Sequence, residues 1–185
     1  MLLTSTFDVP VPPEQAWDLL MNVPRVVPCM PGATLTETVD ETHWKATVDV
    51  KLGPVALTFL TDVAREEEDQ VAGRVKLLAN AREARGRGNA KATIDSSLVP
   101  VAGGTRVDIV TELQLTGAAA QFGRSVVPTV AGQLTADFAE CLRSRLEPPP
   151  AAADEEPAPP ASETAAAPLH GFSLLWRSLL RRLRR

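Results

Sequence analysis

Tyrosine is absent from this chain of 185 residues, which has only two histidines, two cysteines and a 4% share of aromatic residues. Without tyrosine, no phenol group is present to act as a catalytic acid. Neither His43 nor His170 has an acidic or cysteine partner at the spacing of a metal site or a catalytic triad. The sequence therefore predicts no catalytic residues, no metal site and a non-enzymatic role.

Long apolar runs are also missing, and none approaches the roughly 20 residues that a membrane-spanning helix needs. The first eight residues, Met1–Asp8, lack the basic start and the cleavage site of a signal peptide. We therefore expect the protein in the cytoplasm, with Cys29 and Cys141 reduced and unpaired. A reactive thiol at Cys29 is the alternative to a small buried residue there, and Cys141 is predicted to lie in the core.

Charge divides the chain into three parts. Residues 1–147 carry 14 Lys and Arg against 19 Asp and Glu, an acidic balance that argues against a nucleic-acid partner. Residues 148–168 have four acids and no Lys or Arg, with seven Pro and eight Ala, and are predicted to be a disordered linker. Residues 169–185 have five Arg and no acid.

The periodicity of residues 1–147 predicts an α+β domain. Residues 3–9 alternate as a strand, a short helix spans about 13–21, and the prolines that follow allow one further helical turn. A period of two then predicts about six more strands between 33 and 116, most clearly over residues 43–52. Helical spacing returns over 118–146. The expected fold is a curved antiparallel sheet of about seven strands on a long C-terminal helix.

Three local features qualify this pattern. Glu66–Asp69 is predicted to form a solvated turn, after which Val71 would begin the next strand. Pro128 lies inside the long helical stretch and lacks an amide donor, so we expect a kink or a late helix start. If the helix continues through it, the missing bond would help to open a gate over a cavity, and otherwise Pro128 simply separates two helices.

An ordered set of segments carries a family resemblance. The segments are the Pro13–Leu20 stretch with its Ala-Trp pair, the Cys29–Gly32 turn, the Lys51–Val55 hairpin, the Gly86–Ala90 turn, Gly103–Thr105 and the Gly117–Gly123 helix start. Together they resemble the family named after the G subunit of carbon monoxide dehydrogenase, in the START-like (SRPBCC) helix-grip superfamily. The resemblance covers about residues 1–147. It implies a cavity between sheet and helix, and an accessory role for a molybdenum CO dehydrogenase or a related hydroxylase.

Residues on the inner face of the predicted sheet and helix are the candidate cavity lining. Composition alone leaves close packing and an apolar void equally open, and the resemblance favours the void. The predicted lining is Val48, Val50, Leu57, Phe59, Val75, Leu77, Ala92, Ile94, Ile109, Leu113, Phe122, Val126, Val130 and Leu134. The predicted entrance is Trp17, Leu20, Pro28, Met30 and Pro31. This lining suits a lipophilic guest, held without covalent attachment, such as a quinone or a lipid.

The C-terminal segment separates its residues onto two faces of a helix. At 100° per residue, one face carries Phe172, Leu175, Trp176, Leu179, Leu180 and Leu183, and the other carries Arg177, Arg181, Arg182, Arg184 and Arg185. A helix of about 14 residues is about 21 Å long, too short for a hydrocarbon core of about 30 Å. It is predicted to lie in the interface of a membrane rich in anionic lipids. Docking on a partner groove or on the chain's own domain is the alternative.

These expectations combine into a carrier hypothesis. The protein would be peripheral on the inner face of the cytoplasmic membrane, and its cavity would take a lipophilic molecule, most plausibly a respiratory quinone, between the bilayer and the dehydrogenase. The alternatives are a recruitment adaptor without ligand transport, a maturation factor, and a cyclase-like enzyme of the same superfamily.

Overall fold

The computed structural model describes residues 1–53, 55–122 and 126–146, without the side chains of residues 119 and 122. The predicted linker and C-terminal helix lie outside these residues, as do Pro54 and Gly123. The strands are β1 (Leu2–Val9), β2 (Ala33–Thr38), β3 (His43–Leu52), β4 (Val55–Asp69), β5 (Arg74–Glu83), β6 (Asn89–Val101) and β7 (Gly104–Leu115). The helices are α1 (Pro13–Leu20), α2 (Val23–Val26) and α3 (Val127–Leu146), with 3₁₀ segments at Val27–Cys29 and Gly117–Phe122.

The seven strands form one antiparallel sheet in the order β1-β7-β6-β5-β4-β3-β2. Only the β1–β7 pairing joins strands distant in sequence, because α1, α2 and the rest of the sheet lie between them in the chain. The long helix α3 lies closest to β1 and to the 3₁₀ segment at Val27–Cys29. The predicted fold, a seven-stranded antiparallel sheet with two short helices after β1 and a long C-terminal helix, is therefore confirmed.

Alternation within the strands defines the inner face of the sheet. In β3, Trp44, Ala46 and Leu52 are buried, while Lys45 and Lys51 are exposed. The antiparallel register continues this face across the sheet, since Ala46 pairs with Thr61 and Thr61 pairs with Ala81. Apolar side chains of the inner face thus gather on the side that α3 covers.

The core is concentrated at one end of the sheet. There, α1, α2 and the C-terminal half of α3 close over the sheet, and Phe7 packs edge-on against Phe138 with ring centroids 5.8 Å apart. Leu142 of α3 is 1% exposed at this end. At the other end, the buried cluster among the described side chains consists of Leu52, Leu57 and Phe59, with partly buried neighbours. The second end is therefore more loosely filled.

Two predictions about β4, β5 and their turn are wrong. The acidic run Glu66–Asp69 continues β4 as a strand, with a register shift between Arg65 and Glu67 that lets its side chains stay in solvent. The turn comes later, and Val71 lies in it with its side chain fully exposed. Charge favoured a turn, but the pairing with β5 as far as Arg74 supplies the backbone bonds that hold the segment extended.

Pro128 is the second residue of α3, which confirms the expected late helix start. Amides in the first turn of a helix have no partner inside the helix, so proline removes no bond there. The premise that Pro128 weakens the helix over the cavity is therefore wrong. The gate that rested on it is not supported, and the alternative of a simple helix boundary at Pro128 agrees with the structure.

The two cysteines form a disulfide, so the prediction of free thiols is wrong. Cys29 ends the 3₁₀ segment, Cys141 lies on α3, and their Cα atoms are 5.4 Å apart although 112 positions separate them in sequence. Cys29 is 3% exposed. Nearby, a guanidinium nitrogen of Arg145 donates to the carbonyl of Arg25 over 2.5 Å. These contacts fasten the short helices to the C-terminal half of α3.

Candidate ligand-binding site

Two apolar cavities lie between the inner face of the sheet and the helices. The large cavity has a volume of about 270 Å³ and lies under the N-terminal half of α3, at the loosely filled end of the sheet. It is lined by Leu3, Val48, Val50, Leu52, Phe59, Thr61, Ala81, Ala90, Leu113, Leu115, Val127, Val130, Ala131 and Leu134. The sequence predicted one cavity, whereas the structure divides the space into two.

The small cavity has a volume of about 170 Å³ and lies toward the disulfide-bonded end. It is lined by Phe7, Leu20, Met21, Val23, Val26, Met30, Trp44, Arg65, Val75, Leu77, Ile94, Ser96, Leu98, Val107, Ile109 and Phe138. A row of paired inner-face residues, Val63, Ala79 and Ala92, crosses the sheet between the two cavities and lines neither. Two of these three side chains are methyl groups, so this boundary row fills little of the space between the two cavities.

The structure distributes the predicted lining residues between the two cavities. The large cavity receives Val48, Val50, Phe59, Leu113, Val130 and Leu134. The small cavity receives Val75, Leu77, Ile94 and Ile109, together with the predicted entrance residues Leu20 and Met30. These side chains were predicted from their alternation on the strands and from the helical spacing of α3.

Three of the remaining predicted lining residues, Leu57, Ala92 and Val126, line neither cavity. Leu57 is 2% exposed and packs with Leu52 and Phe59, and Val126 packs against the same cluster. Ala92 lies on the boundary row, and the side chain of Phe122 is outside the described part of the chain. Of the predicted entrance, Trp17 is 5% exposed in the core and borders a wide polar surface depression, while Pro28 is exposed and Pro31 half-buried.

Half of the large-cavity residues that are absent from the predicted lining are small or polar, namely Thr61, Ala81, Ala90 and Ala131. Ala81, Ala90 and Ala131 leave volume that larger side chains would fill. Leu3 and Leu52 belong to faces that the alternation identified, but their place in the lining depends on the distance from the sheet to α3. Thr61 could have been identified from the alternation of β4, because it lies at every second position with Leu57 and Phe59 and so shares their inner face.

Thr61 is the polar exception in the large cavity. Its side chain lines that cavity, the residue is 9% exposed, and its hydroxyl Oγ1 has no hydrogen-bond partner among the described residues. A buried hydroxyl normally has a partner, because removal from water without one costs free energy. All the other residues that line the large cavity, within the part of the chain that the structure describes, are apolar.

Arg65 brings a positive charge to the edge of the small cavity. Its Nε lies 2.9 Å from Glu68 Oε2, an Nη donates to the carbonyl of Glu41 over 2.9 Å, and the guanidinium lies 5.6 Å from the ring centroid of Trp44. These partners satisfy the guanidinium within the protein. Arg65 therefore closes one side of the small cavity, a position that its charge would not suggest from sequence.

Glu83 closes the sheet beside the large cavity at the turn between β5 and β6. Its carboxylate accepts hydrogen bonds from Arg87 Nη2 at 2.8 Å and from the backbone amides of Arg85 and Arg87. The hydrogen bonds from the Arg87 guanidinium hold the pKa of Glu83 at about 2. Gly88 and Gly117 let this turn and the segment after β7 approach closely, since a side chain at either would collide with the opposite backbone. The network is structural, because each described partner of the Glu83 carboxylate lies in its own turn.

His43 has an acidic neighbour that its spacing did not predict. Its Nδ1 lies 3.0 Å from Asp40 Oδ1 and 2.9 Å from the hydroxyl of Thr42, and the side chains of His43 and Asp40 are 55% and 53% exposed. A catalytic relay uses opposite ring nitrogens for its two partners, whereas both contacts here use the same nitrogen. No group of three or more metal-ligating side chains occurs among the described residues.

A family model for the G subunit of carbon monoxide dehydrogenase (CoxG) matches residues 6–147, more than half of the chain. The chain belongs to the CoxG family. The segments that carried the resemblance begin with α1, which spans Pro13–Leu20, and end at the 3₁₀ segment Gly117–Phe122. The predicted family is thereby confirmed. No curated protein sequence gives a significant match.

Solved structures show the same fold in distant proteins. A conserved protein from Geobacillus kaustophilus superposes with a TM-score of 0.70 at 20% identity, covering 79% of this chain and 95% of its own. A START superfamily protein from Mycobacterium smegmatis gives 0.50 at 16% identity, covering 78% and 95%. The Zhui aromatase/cyclase from Streptomyces sp. R1128 gives 0.56 at 10% identity, covering 78% and 92%. The CoxG chain therefore has a START-like fold.

None of the described helices is long and apolar enough to cross a membrane.

Proposed function

We propose that this CoxG protein is an accessory protein of a molybdenum CO dehydrogenase or a related hydroxylase, and that it carries a lipophilic molecule between the membrane and that enzyme. The observation that carries the proposal is the large apolar cavity between the sheet and α3. The family description supports the partner, since it names a component of a CO dehydrogenase.

The size and chemistry of the cavities indicate the class of guest. Pockets for small molecules have volumes of about 300–1,000 Å³, so a cavity of about 270 Å³ suits a ring-sized group more than a whole lipid. The low row of Val63, Ala79 and Ala92 offers a path for a chain from the large cavity toward the small one. A respiratory quinone combines a ring with an isoprenoid chain. It is also a mobile electron acceptor in the bilayer, which an aerobic CO dehydrogenase needs.

The segregated faces of residues 169–185 support a membrane tether. The apolar face with Phe172 and Trp176 would insert into the interface, and the arginine side chains would contact anionic headgroups. We propose the inner face of the cytoplasmic membrane as the location. Disulfides are rare in the cytosol, so the state of Cys29 and Cys141 in cells tests this part of the proposal separately.

A recruitment adaptor without ligand transport is the second candidate, and the modest cavity volume is the observation in its favour. A cyclase-like activity has less support. Among the described residues, the large cavity is lined by one hydroxyl and otherwise by apolar side chains, with no acid or base. The likeness to the Zhui aromatase/cyclase is one of fold. A maturation role has no specific observation in its favour.

Native mass spectrometry of the full-length protein, purified from its own host without detergent, tests the carrier proposal. A co-purifying quinone or other lipophilic molecule is the expected result. The matched control is Ala92→Phe, because a phenyl ring on the boundary row occupies the space between the cavities. Protein that is empty after gentle handling, and that takes up no quinone from vesicles, would refute the carrier role and leave the adaptor.

A further inference from the structure

We propose that Thr61 supplies the hydrogen bond that selects and orients the guest, so that the large cavity takes a lipophilic molecule with an oxygen acceptor on its ring-sized end. This inference rests on the proposed ligand-binding function and goes further, because it names the chemical group recognised and the residue that recognises it. A carbonyl or ether oxygen attached to an apolar ring is the matching chemistry, and a plain hydrocarbon is not.

The position of Thr61 follows from the register of the sheet. It lies on the inner face of β4, opposite Ala46 of β3 and Ala81 of β5. Both neighbours are alanine, so neither side chain offers a polar atom to the hydroxyl. On the outer face of the same strand, by contrast, the hydroxyl of Thr58 donates to Asp49 Oδ1 over 2.5 Å.

The unpartnered state of the hydroxyl is the observation that points to a guest. Thr61 Oγ1 is the only buried side-chain nitrogen or oxygen in the described part of the protein that lacks a hydrogen-bond partner. An unpaired hydroxyl in an apolar cavity destabilises the free protein, and valine would have the same shape without this cost. A guest that enters the cavity with an acceptor oxygen removes the deficit, whereas a hydrocarbon leaves it in place.

The surroundings make this one contact decisive for orientation. Every other described residue lining the large cavity is apolar, so among these residues no second polar contact competes for the acceptor. Thr61 sits two positions before Val63 on the boundary row. A guest whose oxygen is held at Thr61 would therefore place its ring in the large cavity and direct any attached chain across Val63, Ala79 and Ala92.

The test uses the full-length protein, with 1,4-naphthoquinone and naphthalene as probes of similar size. We compare wild type with Thr61→Val, which removes the hydroxyl, and Thr61→Ser, which keeps it. Thr93→Val, on the outer face of β6, is the matched control. Thr61→Val is expected to weaken naphthoquinone binding by about threefold to tenfold and to leave naphthalene binding unchanged. The Thr61→Ser and Thr93→Val variants should bind both probes as tightly as wild type does.

A second readout does not require a ligand. Thr61→Val should raise the melting temperature of the free protein, since it replaces an unpaired buried hydroxyl by a methyl group. Equal effects on the two probes, no effect on either, or a lowered melting temperature would overturn the role of Thr61 while leaving the cavity function intact. If the wild-type protein binds neither probe, the proposed ligand-binding function is refuted instead.

Discussion

Removal of the Cys29–Cys141 disulfide should lower the stability of the folded domain by several kilocalories per mole. The bond closes a loop with a sequence separation of 112. In the chain-entropy description, a crosslink over such a loop stabilises by about 5 kcal/mol, and about 2–4 kcal/mol is typical of measured cases. For a domain of this size, about 3 °C of melting temperature corresponds to 1 kcal/mol, so we expect a loss of about 6–12 °C.

The assay compares the Cys29→Ala/Cys141→Ala variant with wild type by thermal melts with and without a reductant. Reduced wild type should melt near the variant, and the variant should not respond to the reductant. Because Cys29 is only 3% exposed, reduction is expected to be slow until the protein is partly unfolded. Free thiols are counted in denaturant on freshly isolated protein that has not been alkylated, before and after reduction. Two free thiols before reduction, together with equal melting temperatures in both conditions, would refute the reasoning.

Three further predictions concern the cavity, the tail and the turn after β5. Ala92→Phe should abolish quinone uptake yet cost less than about 1 kcal/mol of stability, whereas a loss of about 1–3 kcal/mol without any wild-type binding would show a filled core. Changing Trp176 and Leu179 to Glu should prevent co-sedimentation with anionic vesicles at any salt, while salt alone should only weaken it; unchanged sedimentation would exclude the tail as the tether. Glu83→Gln should lower the melting temperature at neutral pH. The pKa of Glu83 falls from 4.5 to about 2 on folding, so the stabilisation by its ionised carboxylate is lost as the pH falls through this range. The difference in melting temperature between Glu83→Gln and wild type should therefore shrink between about pH 4.5 and pH 2. A difference in melting temperature that does not change with pH would contradict this cause.

The strand pattern and the long helix could be predicted because burial imposes a period on the sequence. Trp44, Ala46 and Val48 fall on the inner face as their alternation required. The disulfide could not be predicted in this way, since it depends on how close the 3₁₀ segment comes to α3, which is a tertiary distance. The assumption about compartment then gave the wrong answer for the thiols.

The cavity lining was predictable in part for a related reason. Alternation identifies which side chains face inward, as it did for Val50 and Phe59, but the separation of the sheet from α3 decides whether they contact it. Leu57 faces the same side and is packed, whereas Ala92 is left on the boundary row. Polar residues at inward positions, such as Thr61 and Arg65, are not identified by hydrophobicity. Only their alternate positions along β4 place them on the inner face.

The uneven distribution of the core has a consequence for how the protein can vary. At the disulfide-bonded end, tightly packed residues such as Val9, Ala139 and Leu142 leave little freedom, because each change in volume there disturbs several neighbours. At the other end, small residues border open space, and one or two methyl groups can be added at low cost to folding because they fill that space. Under the proposed function, mutations that change the guest are therefore expected to accumulate around Ala81, Ala90 and Ala131, where volume can change while the framework stays the same.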